Sequence, residues 1–215
     1  SAPRSGQIPS SGELQLFVDG LRMDLAQRLV RLLQPQGISC TLEVAWSALP
    51  SVTATGKALA SPVASQLEGG DTPEGFAPRF GGQGALFAVA AMRSRLAQAG
   101  IQCEGNPEEW DASGKAWMER GDFDSDGHAQ GWRLAARLDS DLQTLAYQIL
   151  ELGNAGWNRI RVVTDHGWLL VPDGLPSCAL PKACAEERWG RCAVLKPGVD
   201  SGLLELPWSW NTKVL

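Results

Sequence analysis

The residues of this 215-residue chain best suited to chemistry are its two histidines and the aspartates beside them. Thr164-Asp165-His166-Gly167 follows Ile160-Arg161-Val162-Val163, an apolar run that reads as a buried strand. An Asp-His pair at the carboxyl end of a strand brings a hard carboxylate and an imidazole to one divalent metal. His128 closes a second pattern, Asp124-Ser125-Asp126-Gly127-His128, and Asp19 lies between the short strand Leu14–Val18 and Gly20. Leu49-Pro50-Ser51-Val52-Thr53-Ala54-Thr55-Gly56-Lys57 adds three hydroxyls at a loop-to-helix start. Three carboxylates (Asp19, Asp124, Asp165), two imidazoles and a hydroxyl form a mixed oxygen and nitrogen set suited to Zn²⁺ or Mn²⁺. A threonine hydroxyl is a poor nucleophile at neutral pH, and coordination to a metal lowers its pKa. Paired metals roughly 3.5–4 Å apart are a common device for phosphoryl transfer. With so few histidines, metal activation fits better than a Ser-His-Asp triad.

Each pattern also has an ordinary structural reading. Asp19-Gly20 suits a strand-end turn, and Thr53 or Thr55 could cap a helix. Asp124 to Gly127 could be a solvated acidic loop. The alternation of Asp122, Asp124 and Asp126 resembles a calcium loop, without a placeable glutamate at its twelfth position. The nine tryptophans lack interleaved basic residues, so they read as packing groups and not as a base-stacking platform.

The elements that must position these groups alternate strand and helix. After Leu14–Val18, residues Arg22 to Gln34 read as a helix with Leu25, Leu29, Leu32 and Leu33 on one stripe, stopped by Pro35 and Gly37. Ile38 to Ala45 alternates like a second strand, and Ser47 to Ser61 suits a loop leading into a helix. Gln66 to Gly84 holds eight glycines and prolines in 19 residues, an irregular excursion. Leu86 to Ala99 is a further helix, and Ile101 to Cys103 a short strand. Glu104 to Gly121 has no clear assignment. Leu134 to Leu152 carries the strongest helical period, before the strand Ile160–Val163. Trp168 to Val171 looks like a return strand, with edge strands at Arg191–Leu195 and Gly202–Leu206. This order predicts an α/β domain with a mostly parallel sheet and helices on both faces. Ligands collect beyond the carboxyl ends of such strands, so Asp19 and Asp165-His166 should share one edge of the sheet.

Composition narrows the partners. A net charge of −5 argues against a broad basic surface that holds nucleic acid non-specifically. A metal site would still supply a local positive field for a nucleic-acid substrate. No uncharged apolar stretch is long enough to span a membrane. Residues 1–12 are rich in Ser, Pro and Gly and read as a flexible lead-in. Cys40, Cys103, Cys178, Cys184 and Cys192 show no C-x-x-C pair, and Cys40 reads as a small core residue. A reduced, cytoplasmic protein is the expectation.

The motifs also resemble a family. Phe17-Val18-Asp19-Gly20-Leu21-Arg22-Met23-Asp24, Leu49 to Lys57, Asp124 to His128 and Val163-Thr164-Asp165-His166-Gly167 occur in the order found in the alkaline phosphatase superfamily. The Asp-Ser-x-Gly-His element is similar to that of its nucleotide pyrophosphatase/phosphodiesterase branch. The Leu-Pro-Ser-Val-Thr and Asp-His-Gly-Trp contexts most resemble the PglZ domain of bacterial BREX phage-defence systems. Glu187-Arg188-Trp189-Gly190-Arg191-Cys192 also looks PglZ-like.

The resemblance implies a three-layer alkaline phosphatase-like domain over residues 13–215. It implies a metal-dependent phosphodiesterase or phosphatase, with nuclease action within the same class. Asp19, Asp165, His166 and Thr53 would surround one metal; Asp124 and His128 would hold a second. Thr53 would be the nucleophile and Lys57 would meet a phosphate oxygen. Zn²⁺ is the first expectation, with Mn²⁺ or Mg²⁺ as alternatives, and other BREX proteins the expected partners. The superfamily supplies a further histidine downstream of Asp-His-Gly, and this chain has none there. Its end, Pro207 to Leu215, reads as cut in mid-domain, which would leave the second site one ligand short and this fragment weak or inactive. The competing implication is a non-catalytic scaffold of the defence complex. A sulfatase relative is disfavoured, since sulfatases need a modifiable cysteine or serine at the position of Thr53.

Overall fold

A computed structural model describes residues 5–71, 73–121, 123–169, 180–189, 192–196 and 198–212. Its elements are, in order, β1 (Glu13–Phe17), α1 (Met23–Leu33), α2 (Thr53–Ala60), β2 (Leu67–Glu68), β3 (Arg79–Phe80), α3 (Val89–Gln98), β4 (Lys115–Glu119), α4 (Phe123–Gln130), α5 (Leu138–Asn154), β5 (Arg159–Val163), β6 (Ala185–Arg188) and β7 (Ala193–Leu195).

The centre is a parallel three-stranded sheet in the order β4-β1-β5. Phe17 lies opposite Glu119 on one side and Val163 on the other, so all three carboxyl ends open onto one edge. Alternation along β1 divides the core. Leu14, Leu16 and Val18 pack with the leucine stripe of α1 and with Leu142, Leu145 and Ile149 of α5. Phe17 and Trp117 pack on the other face with Ala58 of α2 and Met92 and Leu96 of α3. Each fully buried leucine contributes about 1.5–3 kcal/mol. The molecule is therefore a mixed α/β protein whose parallel sheet carries helices on both faces.

Several boundaries differ from the sequence reading. Ile38 to Ala45 forms no strand, and the outer edge of β5 is unpaired among the described residues. Alternation fixes which side chains share a face; it does not supply a ladder partner. The segment instead lines, with β5, a cavity of about 1660 Å³, and its Leu42 and Val44 are exposed, as is Trp46 just beyond it. Cys40 still packs, half-buried, against the main core. The unassigned stretch Glu104 to Gly121 contains β4, a full member of the sheet. Ile101 to Cys103 contributes only one parallel bridge, Gln102 to Ala116.

The glycine-rich excursion folds into the β2-β3 pair and buries Phe76 and Phe80. Asp124 to His128 is helical, in α4, and not a calcium-type loop; Asp122 lies outside the described residues. Trp168 and Leu169 form no strand, and Leu170 and Val171 lie outside the description. β7 pairs antiparallel with β6, whereas Gly202 to Leu206 stays irregular. Arg191, Gly190 and Cys178 also fall outside the described residues. Within the described residues, no helix is long and apolar enough to cross a membrane.

Candidate metal centre

Neighbouring turns at the carboxyl ends of β1 and β5 build the site. Gly20 adopts φ +67°, a left-handed conformation suited to glycine. The turn that results aims the Gly20 N–H at Asp165 Oδ1, 3.4 Å away. The Leu21 N–H donates to Thr164 Oγ1 at 3.0 Å, and Trp168 Nε1–H donates to the Gly20 carbonyl at 2.9 Å. Asp19 is thereby held opposite Asp165-His166, as the parallel strand ends require.

The third wall is the start of α2. Thr53 Oγ1 lies 3.1 Å from His166 Nε2 and 3.4 and 3.5 Å from the two Asp19 oxygens. Thr55, two residues on, points away and is buried. It donates to the Phe76 carbonyl at 2.7 Å and accepts from Trp208 Nε1 at 3.3 Å. Of the hydroxyls of the segment, Thr53 is the one directed at the carboxylates, while Thr55 pins the helix.

His166 Nδ1 is 3.2 Å from the Gly167 carbonyl. A carbonyl oxygen only accepts, so Nδ1 donates there and Nε2 is the ring nitrogen turned to the site. Nε2 lies 3.5 Å from Asp19 Oδ1 and 3.7 Å from Asp165 Oδ2. The Asp165 side chain is 0% exposed and that of His166 2%. Asp165 Oδ1 accepts from the Gly20 and His166 N–H groups, but Oδ2 is buried without a hydrogen bond. A buried, unsatisfied carboxylate oxygen is costly, and a cation is the natural partner for it.

Electrostatics point the same way. Burial raises the Asp19 carboxyl to about 6, helped by the charges of Asp165 and Asp124 and opposed by His166 and Lys57. Burial also raises Asp165, with His166 and nearby N–H groups pulling it back. Asp19, Asp124 and His166 each offer a ligand atom within 4.8 Å of one another. Clustered carboxylates with an imidazole Nε2 and an orphaned oxygen fit a divalent metal ion.

Asp124 thus joins the group around Asp19 and His166. His128 stands at its margin, 76% exposed, with Nε2 3.4 Å from Asp124 Oδ2. Lys57 is occupied: Nζ bonds Glu119 Oε2 at 2.6 Å and lies 4.9 Å from the Phe17 ring centroid.

Two contributors escaped the sequence reading. A Cβ on Gly56 would come within 2.8 Å of Asp165 Cβ and 3.0 Å of its carbonyl oxygen, so glycine lets α2 approach the Asp165-His166 turn. An isolated glycine inside a helical pattern was the available signal. Ser47 Oγ donates to the Asp165 carbonyl at 3.1 Å. That contact depends on a fold-back of the chain with no local signature.

The chain matches no protein-family profile, no curated protein and no solved structure.

Proposed function

We propose that this chain is a metal-dependent phosphoric-ester hydrolase, of PglZ and alkaline phosphatase type, serving bacterial anti-phage defence in complex with other BREX proteins. The observation that carries the chemistry is the meeting of the Thr53 hydroxyl, His166 Nε2 and the Asp19 carboxylate beside the unsatisfied Asp165 Oδ2. The family assignment rests on the order of the four motifs.

Asp19, Asp165 and His166 would hold the primary cation, and Asp124 with His128 a second. A bound divalent cation would lower the pKa of the Thr53 hydroxyl and offset charge on the phosphoryl oxygens. Thr53 Oγ attacks phosphorus and passes its proton to Asp19. The bond to the leaving oxygen breaks, and that oxygen keeps the electron pair and takes the proton from Asp19. Water then attacks the phosphothreonine; the Oγ–P bond breaks, phosphate or a phosphomonoester leaves, and Thr53 recovers a proton. Nuclease action is the same chemistry on a nucleic-acid diester.

The decisive experiment compares wild type with Thr53→Ala on bis-p-nitrophenyl phosphate and its monoester, with added Zn²⁺ or Mn²⁺. Diester turnover that falls by about 10³-fold or more in the variant, with cation binding retained, is the expected result. The exposure of His128 favours a second reading, a scaffold with the same fold. Absence of turnover and of cation binding would select it.

A further inference from the structure

A cavity of about 410 Å³ opens beside the centre, lined in part by Phe17, Asp19, Lys57, Glu119, Arg120 and Asp124. Its size lies within the range of small-ligand sites. Lys57 follows Thr53 by one turn of α2, so the two side chains share a face of the helix. The Lys57 side chain is 11% exposed, and a mostly buried ammonium requires a partner. Two carboxylates are available in this cavity besides Asp124: Glu119, at the end of β4, and Asp19, at the metal centre.

The structure shows Lys57 on Glu119, at 2.6 Å. Glu119 is itself fixed, because its other oxygen accepts from Trp117 Nε1 at 3.2 Å and Trp117 is buried against Phe17. Lys57 donates one hydrogen bond, to Glu119, of the three its ammonium can make. Its remaining donors are available to an anion in the cavity. Arg120 adds a second cation on the same lining.

We propose that Glu119 is a positioning residue that holds Lys57 off Asp19 and at the cavity wall, where Lys57 meets a non-bridging oxygen of the phosphoryl group. The phosphoryl half of this statement rests on the hydrolase reading above; the Glu119–Lys57–Asp19 relation does not. Without Glu119, Lys57 turns to Asp19 and competes there with the cation.

The test uses the whole chain and two probes, Zn²⁺ alone and inorganic phosphate added to the Zn²⁺-loaded protein. Titration calorimetry should show Zn²⁺ affinity reduced about tenfold in Glu119→Ala and restored in Glu119→Ala/Lys57→Met. Phosphate binding should fall about tenfold in both Glu119→Ala and Lys57→Met, with no further loss in the double variant. Glu119→Gln, which keeps an acceptor for Lys57, should recover most of the phosphate affinity and raise KM of the diester little. It also serves if Glu119→Ala does not fold. Unchanged Zn²⁺ affinity in Glu119→Ala, or strictly additive phosphate losses, overturns the proposal; if Glu119→Ala does not fold, wild-type affinities for both probes in Glu119→Gln together with Lys57→Met do so. If wild type binds Zn²⁺ but neither binds phosphate nor turns over the diester, the hydrolase reading fails, and the Zn²⁺ titrations still decide the role of Glu119.

Discussion

The two histidine patterns of this chain end in opposite environments. Asp165 and His166 are buried where β1, β5 and α2 meet, and of their side-chain polar atoms Asp165 Oδ2 alone has no hydrogen bond. Asp124 and His128 sit on a short helix, with the imidazole in solvent. A buried ligand is oriented before any cation arrives and suffers from desolvation until one does. An exposed imidazole is hydrated already and loses little when no cation is bound. Burial, more than residue type, therefore separates the pre-organised half of the centre from the loose half.

The sharpest way to break this contrast is Asp165→Asn, which keeps shape and removes charge. Cation affinity should fall about 100-fold or more, while the cation-free protein is unchanged or stabilised in thermal melting. A loss of cation-free stability of several kcal/mol would mean that Asp165 serves packing alone. Gly56→Ala comes next, since it thrusts a methyl group against the Asp165 turn. A cost of about 1–3 kcal/mol is expected. On the proposed hydrolase reading, diester turnover should drop by about tenfold or more from misplacement of Thr53, as kinetics at saturating metal would show.

A smaller effect belongs to pH. The folded Asp19 carboxyl is raised from 3.8 to about 6, so between those values the folded chain holds a proton that the unfolded chain has released. Stability without a cation should fall as pH rises through that window, by about 1–2 kcal/mol after allowance for the partial exposure of Asp19. The raised Asp165 acts in the same sense. Denaturant melts from pH 4 to 7 should show the decline, and Asp19→Asn should reduce it. Added Zn²⁺ should counter it, because the cation displaces the proton. The smallest effect should be that of His128→Ala, with affinity for the first cation changed less than about threefold. A loss comparable to that of Asp165→Asn would make the two halves equivalent.

Local pattern was enough where one short segment carried the information. The leucine stripe of α1, the long period of α5, the apolar run of β5 and the turn at Asp19-Gly20 were all legible, because each depends on neighbours a few residues away. Asp19 and Asp165-His166 were legible as a pair because parallel strands must open onto the same edge. β4 was not, since Lys115-Ala116-Trp117-Met118-Glu119 is too short to announce itself among polar residues. Ile38 to Ala45 misled for the opposite reason: its alternation is clear, but no partner strand among the described residues receives it.

The sequence by itself determined the inventory of the centre: two imidazoles, the aspartates beside them, and a threonine at a helix start. Tertiary structure alone decided their states. It buried Asp165 and left one of its oxygens unsatisfied, turned Thr53 toward the carboxylates and Thr55 into the core against Phe76 and Trp208, and put Lys57 on Glu119. It also left His128 in water. Those outcomes are set by distances between segments far apart in the chain, and desolvation and hydrogen bonding depend on such distances, not on spacing along the sequence.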